Sequence, residues 1–285
     1  MLDKKMMRRV KLGFVFVTLL LFAIYIVNKW MLYNQLDASY PEITFEQDVL
    51  EVSVGVAEEE LLEGVNASDK RDGDVTDTIL IESMSNMLDG KQRIVTYAAF
   101  DKDNHVGKAE RRIQYTDYTP IRFQLASPLS VSSLGAGIDE ILEPLGAVDC
   151  IDGDISDRII VLDTDILNLT TDAASIIYKV QVTNSCGEVA ELELPVKVNL
   201  SGSNANSQYG SIVLSEYLTY TTLGTDLDLA SFITSASFRG EEVKSSDIVI
   251  STDLDTSKAG VYTATYTLTR DESIATCDLI IVVEE

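Results

Sequence analysis

Seventeen consecutive residues, Leu61 to Asp77 (LLEGVNASDKRDGDVTD), align without a gap to Ile141 to Asp157 (ILEPLGAVDCIDGDISD), eighty positions later. Leu62, Glu63, Ala67, Asp69, Asp72, Gly73, Asp74 and Asp77 recur identically, and Ile79 and Ile159 follow in step. A fixed period of this length means that the chain repeats one supersecondary plan. Tyr97 in IVTYAAFD, Tyr178 in SIIYKVQV and Tyr266 in TATYTLTR mark the same late strand three times, each followed by a polar loop and a final strand. Three repeats are therefore expected, the third degenerate because SFRGEEVKSSDIVI replaces its Asp-Gly-Asp motif.

Around the motifs the chain reads as short β-branched runs broken by Gly, Asp, Asn and Ser, and Tyr178 to Val182 alternates apolar with polar residues. That alternation gives a strand one buried and one wet face. Repeats of about eighty residues with roughly seven short strands fit immunoglobulin-like sandwiches, whose two sheets bury their inner faces against each other. The expected fold is all-β: tandem immunoglobulin-like β-sandwiches preceded by a single N-terminal transmembrane helix. The expected divisions are a basic segment (1–11), the helix (12–32), a stalk (33–40), sandwiches at 41–117 and 118–200, a Ser/Gly/Asn-rich linker (201–210) and a third sandwich (211–285).

Leu12 to Val27 contains no charged residue and follows Lys4, Lys5, Arg8, Arg9 and Lys11 directly. Those sixteen residues make about 24 Å of helix, and continuation through Leu32 reaches the roughly 30 Å of a bilayer core. The basic cluster places the N-terminus in the cytoplasm and the bulk of the chain outside. No small-x-small cleavage site follows the apolar run, so an uncleaved anchor is favoured over a removed leader.

The whole chain has 22 Lys and Arg against 46 Asp and Glu, a net charge of -24. An exterior this acidic repels phosphate backbones and disfavours nucleic-acid partners. His105 is the sole histidine, so a triad mechanism would rest on one residue, and the chain is read as non-enzymatic. Cys150, Cys186 and Cys277 have no Cys-x-x-Cys spacing and signal no zinc knuckle.

The run Gly64-Val65-Asn66-Ala67-Ser68-Asp69-Lys70-Arg71-Asp72-Gly73-Asp74-Val75-Thr76, followed by Tyr97-x-x-x-Asp101 and a polar turn, resembles the bacterial Ig-like modules of surface proteins, cadherin-like and HYR-like in strand pattern. The resemblance covers about Pro41 to Val198, and Ser211 to Glu285 only through its last strands. It implies a surface-displayed tandem module used for adhesion or spacing, and no catalytic residues.

Asp69-x-x-Asp72-Gly73-Asp74 and its copy Asp149-x-x-Asp152-Gly153-Asp154 crowd three carboxylates into six residues. Two readings fit. In one, the aspartates cap their own backbone around a positive-φ glycine in a tight turn; in the other, Ca²⁺ relieves their repulsion with oxygen ligands, Asp101 and Asp103 completing the first site. Cys150 stands at the position of Lys70, and Cys186 aligns with His105 at an offset of 81, which suggests a Cys150–Cys186 disulfide between facing loops. The three tyrosines read as core or corner residues, and Cys277 as a buried inert thiol. The functional expectation is a membrane-anchored extracellular module that binds an unknown protein or glycan. The alternative is a passive stalk that spaces a partner from the membrane.

Overall fold

In the computed structural model, which describes residues 4–35, 39–88, 91–131, 143–169, 173–199, 209–271 and 273–285, each copy of the repeated motif is a hairpin turning on an aspartate and a glycine. The chain opens with helix α1 (Lys4–Gln35), in which Met7–Met31 is long and apolar enough to cross a membrane. The helix runs further than the 12–32 span expected, through the basic cluster and into the stalk. Of the other expected segments, Ile141, Leu142 and linker positions 201–208 lie outside the described residues.

Strands β1 (Glu42–Phe45) and β2 (Val49–Val52), a single turn of helix α2 (Glu58–Leu61), β3 (Val65–Asp69), β4 (Gly73–Asp74), β5 (Leu80–Met84), β6 (Gln92–Phe100) and β7 (Val106–Tyr115) follow. They form a three-stranded sheet, β1-β3-β4, and a four-stranded one, β2-β7-β6-β5. The alternation in β3 buries Val65, Ala67 and Asp69, and Val95, Tyr97, Ala99 and Ile113 supply the facing side of the core. Arg111 is buried with them, its guanidinium donating to Glu63 O (2.8 Å) and lying 5.8 Å from the Phe45 ring centroid.

The same order recurs as β8 (Arg122–Leu125), β9 (Ser130–Val131), β10 (Leu145–Asp149), β11 (Gly153–Asp154), β12 (Ile160–Leu169), β13 (Ala173–Thr183) and β14 (Val189–Asn199). These strands make the sheets β11-β10-β8 and β12-β13-β14-β9. A third set comprises β15 (Gly210–Leu214), β16 (Leu218–Thr222), β17 (Ile233–Phe238), β18 (Glu241–Glu242), β19 (Ile248–Thr252), β20 (Gly260–Arg270) and β21 (Ser273–Glu284). Its sheets are β15-β17-β18 and β16-β21-β20-β19. Gly210, expected to end the linker, already belongs to β15.

One backbone bond identifies the shared frame. Val75 N donates to Ala67 O (3.0 Å), Ile155 N to Ala147 O (2.9 Å) and Val243 N to Ala236 O (2.8 Å). The third copy is degenerate because its hairpin is one residue shorter. Arg239 (φ 51°) and Gly240 (φ 83°) make a two-residue turn there, where the first two copies place Gly73 (φ 78°) and Gly153 (φ 75°). Short 3₁₀ turns, Thr76–Thr78, Ser156–Arg158 and Ser245–Asp247, then lead into β5, β12 and β19.

By contact density the chain divides into two compact units, residues 1–51, 56–85 and 93–114 in one, and 52–55, 86–92 and 115–285 in the other. The second and third pairs of sheets therefore share a unit. Their cores are continuous: Leu218 of β16 and Ile280 of β21 are buried in the cluster of β13 and β14 that holds Tyr178, Val180, Leu194 and Val196.

Candidate functional site

Two of the three carboxylates in each copy of the turn bind the turn's own backbone. Asp69 is buried at the end of β3, and its Oδ1 accepts from Arg71 N (2.7 Å), Asp72 N (3.0 Å) and Ser39 Oγ (3.1 Å). Asp149 does the same in β10, with Oδ2 accepting from Ile151 N (2.9 Å) and Asp152 N (2.8 Å). Asp74 and Asp154 cap the following turn through Thr76 N and Ser156 N, each at 3.0 Å.

Asp72 and Asp152 bind the neighbouring loop. Asp72 accepts from Lys102 N (2.9 Å) and Lys102 Nζ (3.2 Å), and Asp152 from Ser185 N (2.7 Å) and Ser185 Oγ (2.6 Å). The turn and the loop before the final strand therefore meet at one end of the sandwich, as the sequence suggested. Asp103 pairs with Arg71 at 3.2 Å. Asp101 lies inside its own loop, Oδ1 accepting from Asp103 N (2.9 Å) and His105 N (2.8 Å) and Oδ2 facing His105 Nδ1 at 2.7 Å.

These hydrogen bonds are the ones the tight-turn reading calls for. Among the described residues no group of three or more His, Cys, Asp or Glu is placed to hold a metal ion. Asp69, Asp72, Asp74, Asp101, Asp103, Asp149, Asp152 and Asp154 instead accept hydrogen bonds within their own turns and loops or pair with neighbouring basic side chains. We expect the melting temperature to be indifferent to added Ca²⁺ and to chelator; a rise with Ca²⁺ that chelator reverses would restore the calcium reading.

The disulfide expectation is corrected. Cys150 and Cys186 are free thiols, as is Cys277. Cys150 Sγ donates to Thr119 O at 3.1 Å, while Cys186 is buried with its amide on Asn184 Oδ1 (3.0 Å). The alignment that paired them was also off by two. Asn184 receives the bonds that Asp101 receives, and Glu188 N matches His105 N, so Cys186 corresponds to Asp103. Cys277 is buried in β21 as expected, and burial pushes its thiol up to about 12.

Acid titration follows from these caps. The Asp72 amide and other donors hold the Asp69 carboxyl below its ordinary value; hydroxyls do the same first for Asp74 (Thr76), Asp152 (Ser185) and Asp154 (Ser156). A carboxyl lowered in the folded state stabilises it above the unfolded value of about 4 and loses that contribution as pH falls through the folded value. The contribution of these caps to the melting temperature is therefore expected to be constant from pH 7 to about 5 and to be lost below about pH 4; an unchanged melting temperature at pH 3 would remove the caps from the account.

Among the described residues, two of the three tyrosines carry the corner bond. Tyr97 OH donates to Leu61 O and Tyr266 OH to Leu229 O, both at 2.7 Å and both from fully buried rings. Burial raises both phenols, Tyr266 to about 12. Tyr178 is buried at the same place in β13, and its phenol is raised for the same reason. These rings belong to the core and offer nothing to a ligand.

The feature that sequence reasoning missed lies in the second unit, where two sandwiches join. Arg122 pairs with Glu284 and lies 4.3 Å from the Tyr220 ring centroid, and Tyr220 OH accepts from Phe123 N at 2.9 Å. On the other side Lys197 Nζ meets Asp278 (2.7 Å) and Thr265 Oγ1 (3.2 Å). Beside that ion pair is a cleft of about 410 Å³, bordered by Pro195, Lys197, Tyr217, Ser251, Asp253 and Asp278. The sequence signal was Leu279 to Val283, five apolar residues in a row: Leu279, Ile281 and Val283 fill the third core while Ile280 enters the second and Val282 packs against it.

No protein-family profile matches the chain, and no curated protein matches it. Among solved structures it is similar to the M60 catalytic domain with two CBM51 domains of Clostridium perfringens ZmpB, at 13% identity and TM-score 0.23, covering 87% of this chain and 31% of that one. It is also similar to a lipoprotein of Bacteroides thetaiotaomicron (12%, TM-score 0.20, 85% of this chain and 98% of that one). The extracellular domain of protocadherin GammaB4 is a third (12%, TM-score 0.19, 87% and 50%). The chain thus spans about a third of the ZmpB structure and half of the protocadherin.

Proposed function

We propose that this chain is a membrane-tethered extracellular binding module, non-catalytic, with its N-terminus in the cytoplasm. The observation that carries the reading is the cleft beside Lys197 and Asp278, a concave site of ligand size fixed between two sandwiches that share a core. The apolar helix supplies the tether. Among the described residues, Ser175 and Ser251 hydroxyls and Tyr217 OH border the cleft without a protein hydrogen-bond partner, which leaves donors and acceptors for a polar ligand such as a glycan or an exposed loop of a protein.

The test is a glycan and protein-ectodomain screen with the full chain in lipid nanodiscs, repeated with Ser251→Trp, which fills the cleft from an exposed strand position. Loss of a ligand on that substitution supports the reading. A ligand retained by the variant, or turnover of any ligand, overturns it. The locked junction also favours the stalk reading, since a shared core transmits length and direction. A stalk would hold its partner at a set height through Ser251→Trp but lose it when Ile280→Asp opens the junction.

A further inference from the structure

The second sandwich carries an edge that its siblings lack. Among the described residues strand β12 is the outermost strand of β12-β13-β14-β9, and it is ten residues long, whereas its counterparts β5 and β19 each have five. Half of it is large and apolar yet open to solvent: Ile160, Leu162, Ile166, Leu167 and Leu169 are 45–61% exposed. Pairing with β13 sets Ile166 and Leu169 opposite Ile176 and Ala174, both of which are buried, so the strand continues a core-facing row without covering it. An edge strand presents an unpaired row of N–H and C=O groups, which proteins ordinarily guard with short length, lysine or proline. IVLDTDILNL has neither lysine nor proline, and its guards are Asp163, Asp165 and two bulges, at Val161/Asp163 and Ile166/Asn168.

We propose that β12 is a docking edge that receives an extended segment of a partner protein as an added strand, the segment bearing basic side chains on one row and apolar ones on the other. Charge decides the occupant. Asp163 and Asp165 are exposed on the outer row, in register with Lys179 and Ile177, and opposite charges favour a cross-strand pair while like charges oppose it. A second copy would set these aspartates against their equals, on a chain of net charge -24. A basic partner gains from both. Between the bulges only Asp163 to Ile166 keep regular register, so the bound segment is short and its hold depends on Ile166, Leu167 and Leu169 as well as the ladder. The edge adjoins the cleft at Ser175, which pairs with Asn168 of β12, but neither proposal needs the other.

The probe is an end-capped eight-residue peptide alternating Lys and Val, titrated against the full chain in nanodiscs by fluorescence anisotropy. Three comparisons are decisive: the same peptide N-methylated at alternate amides, a Glu/Val version, and the chain carrying Asp165→Lys with Leu167→Lys. Docking on β12 predicts saturable binding that falls at least about tenfold in each comparison, a loss of roughly 1.4 kcal/mol or more. Equal binding by the N-methylated peptide overturns the proposal, because general attraction to an acidic surface needs no backbone ladder, and that comparison leaves the protein unaltered. Binding unchanged by the two substitutions overturns it as well. Concentration-dependent dimerisation abolished by the same substitutions would assign the edge to a second copy and refute the basic partner.

Discussion

Asn184→Asp is expected to destabilise the second unit by about 3 kcal/mol, roughly 6–12 °C in melting temperature for a body of this size. Asn184 is buried, its Oδ1 accepts from Cys186 N (3.0 Å) and Glu188 N (2.9 Å), and its Nδ2 donates to Asp149 Oδ1 (3.1 Å) and Glu188 Oε2 (3.3 Å). The substitution exchanges that donor for an acceptor and sets a new buried carboxyl against buried Asp149 and half-buried Glu188. Burial already raises the Glu188 carboxyl. The new carboxyl would titrate above its unfolded value for the same reason, with repulsion added. A carboxyl raised on folding costs stability above its folded value and nothing below its unfolded one, so the deficit should shrink as pH falls toward about 4. Calorimetry of variant and parent at pH 7 and pH 4.5 checks both the size and the sign; an equal deficit at the two values would mean lost packing rather than opposed charges.

The contrast between the two copies of this loop also shows what the sequence made legible. Of the two readings that Asp-x-x-Asp-Gly-Asp allowed, the turn needs only local chemistry: a capping carboxylate, a left-handed glycine, a second cap. Gly73 and Gly153, within three degrees of each other in φ, meet that expectation. Alternating runs such as Tyr178 to Val182 gave strands for an equally local reason. The disulfide failed because it needed the direction of two side chains, and nearness of loops does not fix Cβ vectors. The loop register, moreover, sets Cys186 against Asp103 and Glu188 against His105. The junction is only half legible in Leu279 to Val283: an unbroken apolar run is what a strand buried on both faces requires, but it does not say which second core the run meets. The edge position of β12 is not legible in its sequence, because its exposed leucines and isoleucines have the composition of a buried strand and only the sheet order puts them on an edge.

Asp101→Asn, the reverse exchange in the first unit, is expected to raise its melting temperature by roughly 4–8 °C. In the second sandwich Asn184 Nδ2 satisfies Asp149. In the first, an aspartate holds the same place, and Asp69 Oδ2 is buried without a partner among the described residues. The equivalence of the loops aims that oxygen at Asp101, whose own Oδ2 is turned to His105. An asparagine keeps Oδ1 on the amides of Asp103 and His105 and offers Nδ2 to Asp69, supplying the missing donor. Neutral His105 can still accept from the amide through Nδ1, so the exchange adds a bond and retains the neighbouring contact. Asp101→Ala removes the acceptor for both amides and is expected to lower the melting temperature. The two substitutions must therefore move stability in opposite directions, with amide exchange at Asp103 and His105 slowing in the first and quickening in the second. A fall on Asp101→Asn would mean that the carboxylate is held by its histidine more strongly than the orphaned oxygen of Asp69 costs, and the correspondence between the two loops would then end at the backbone.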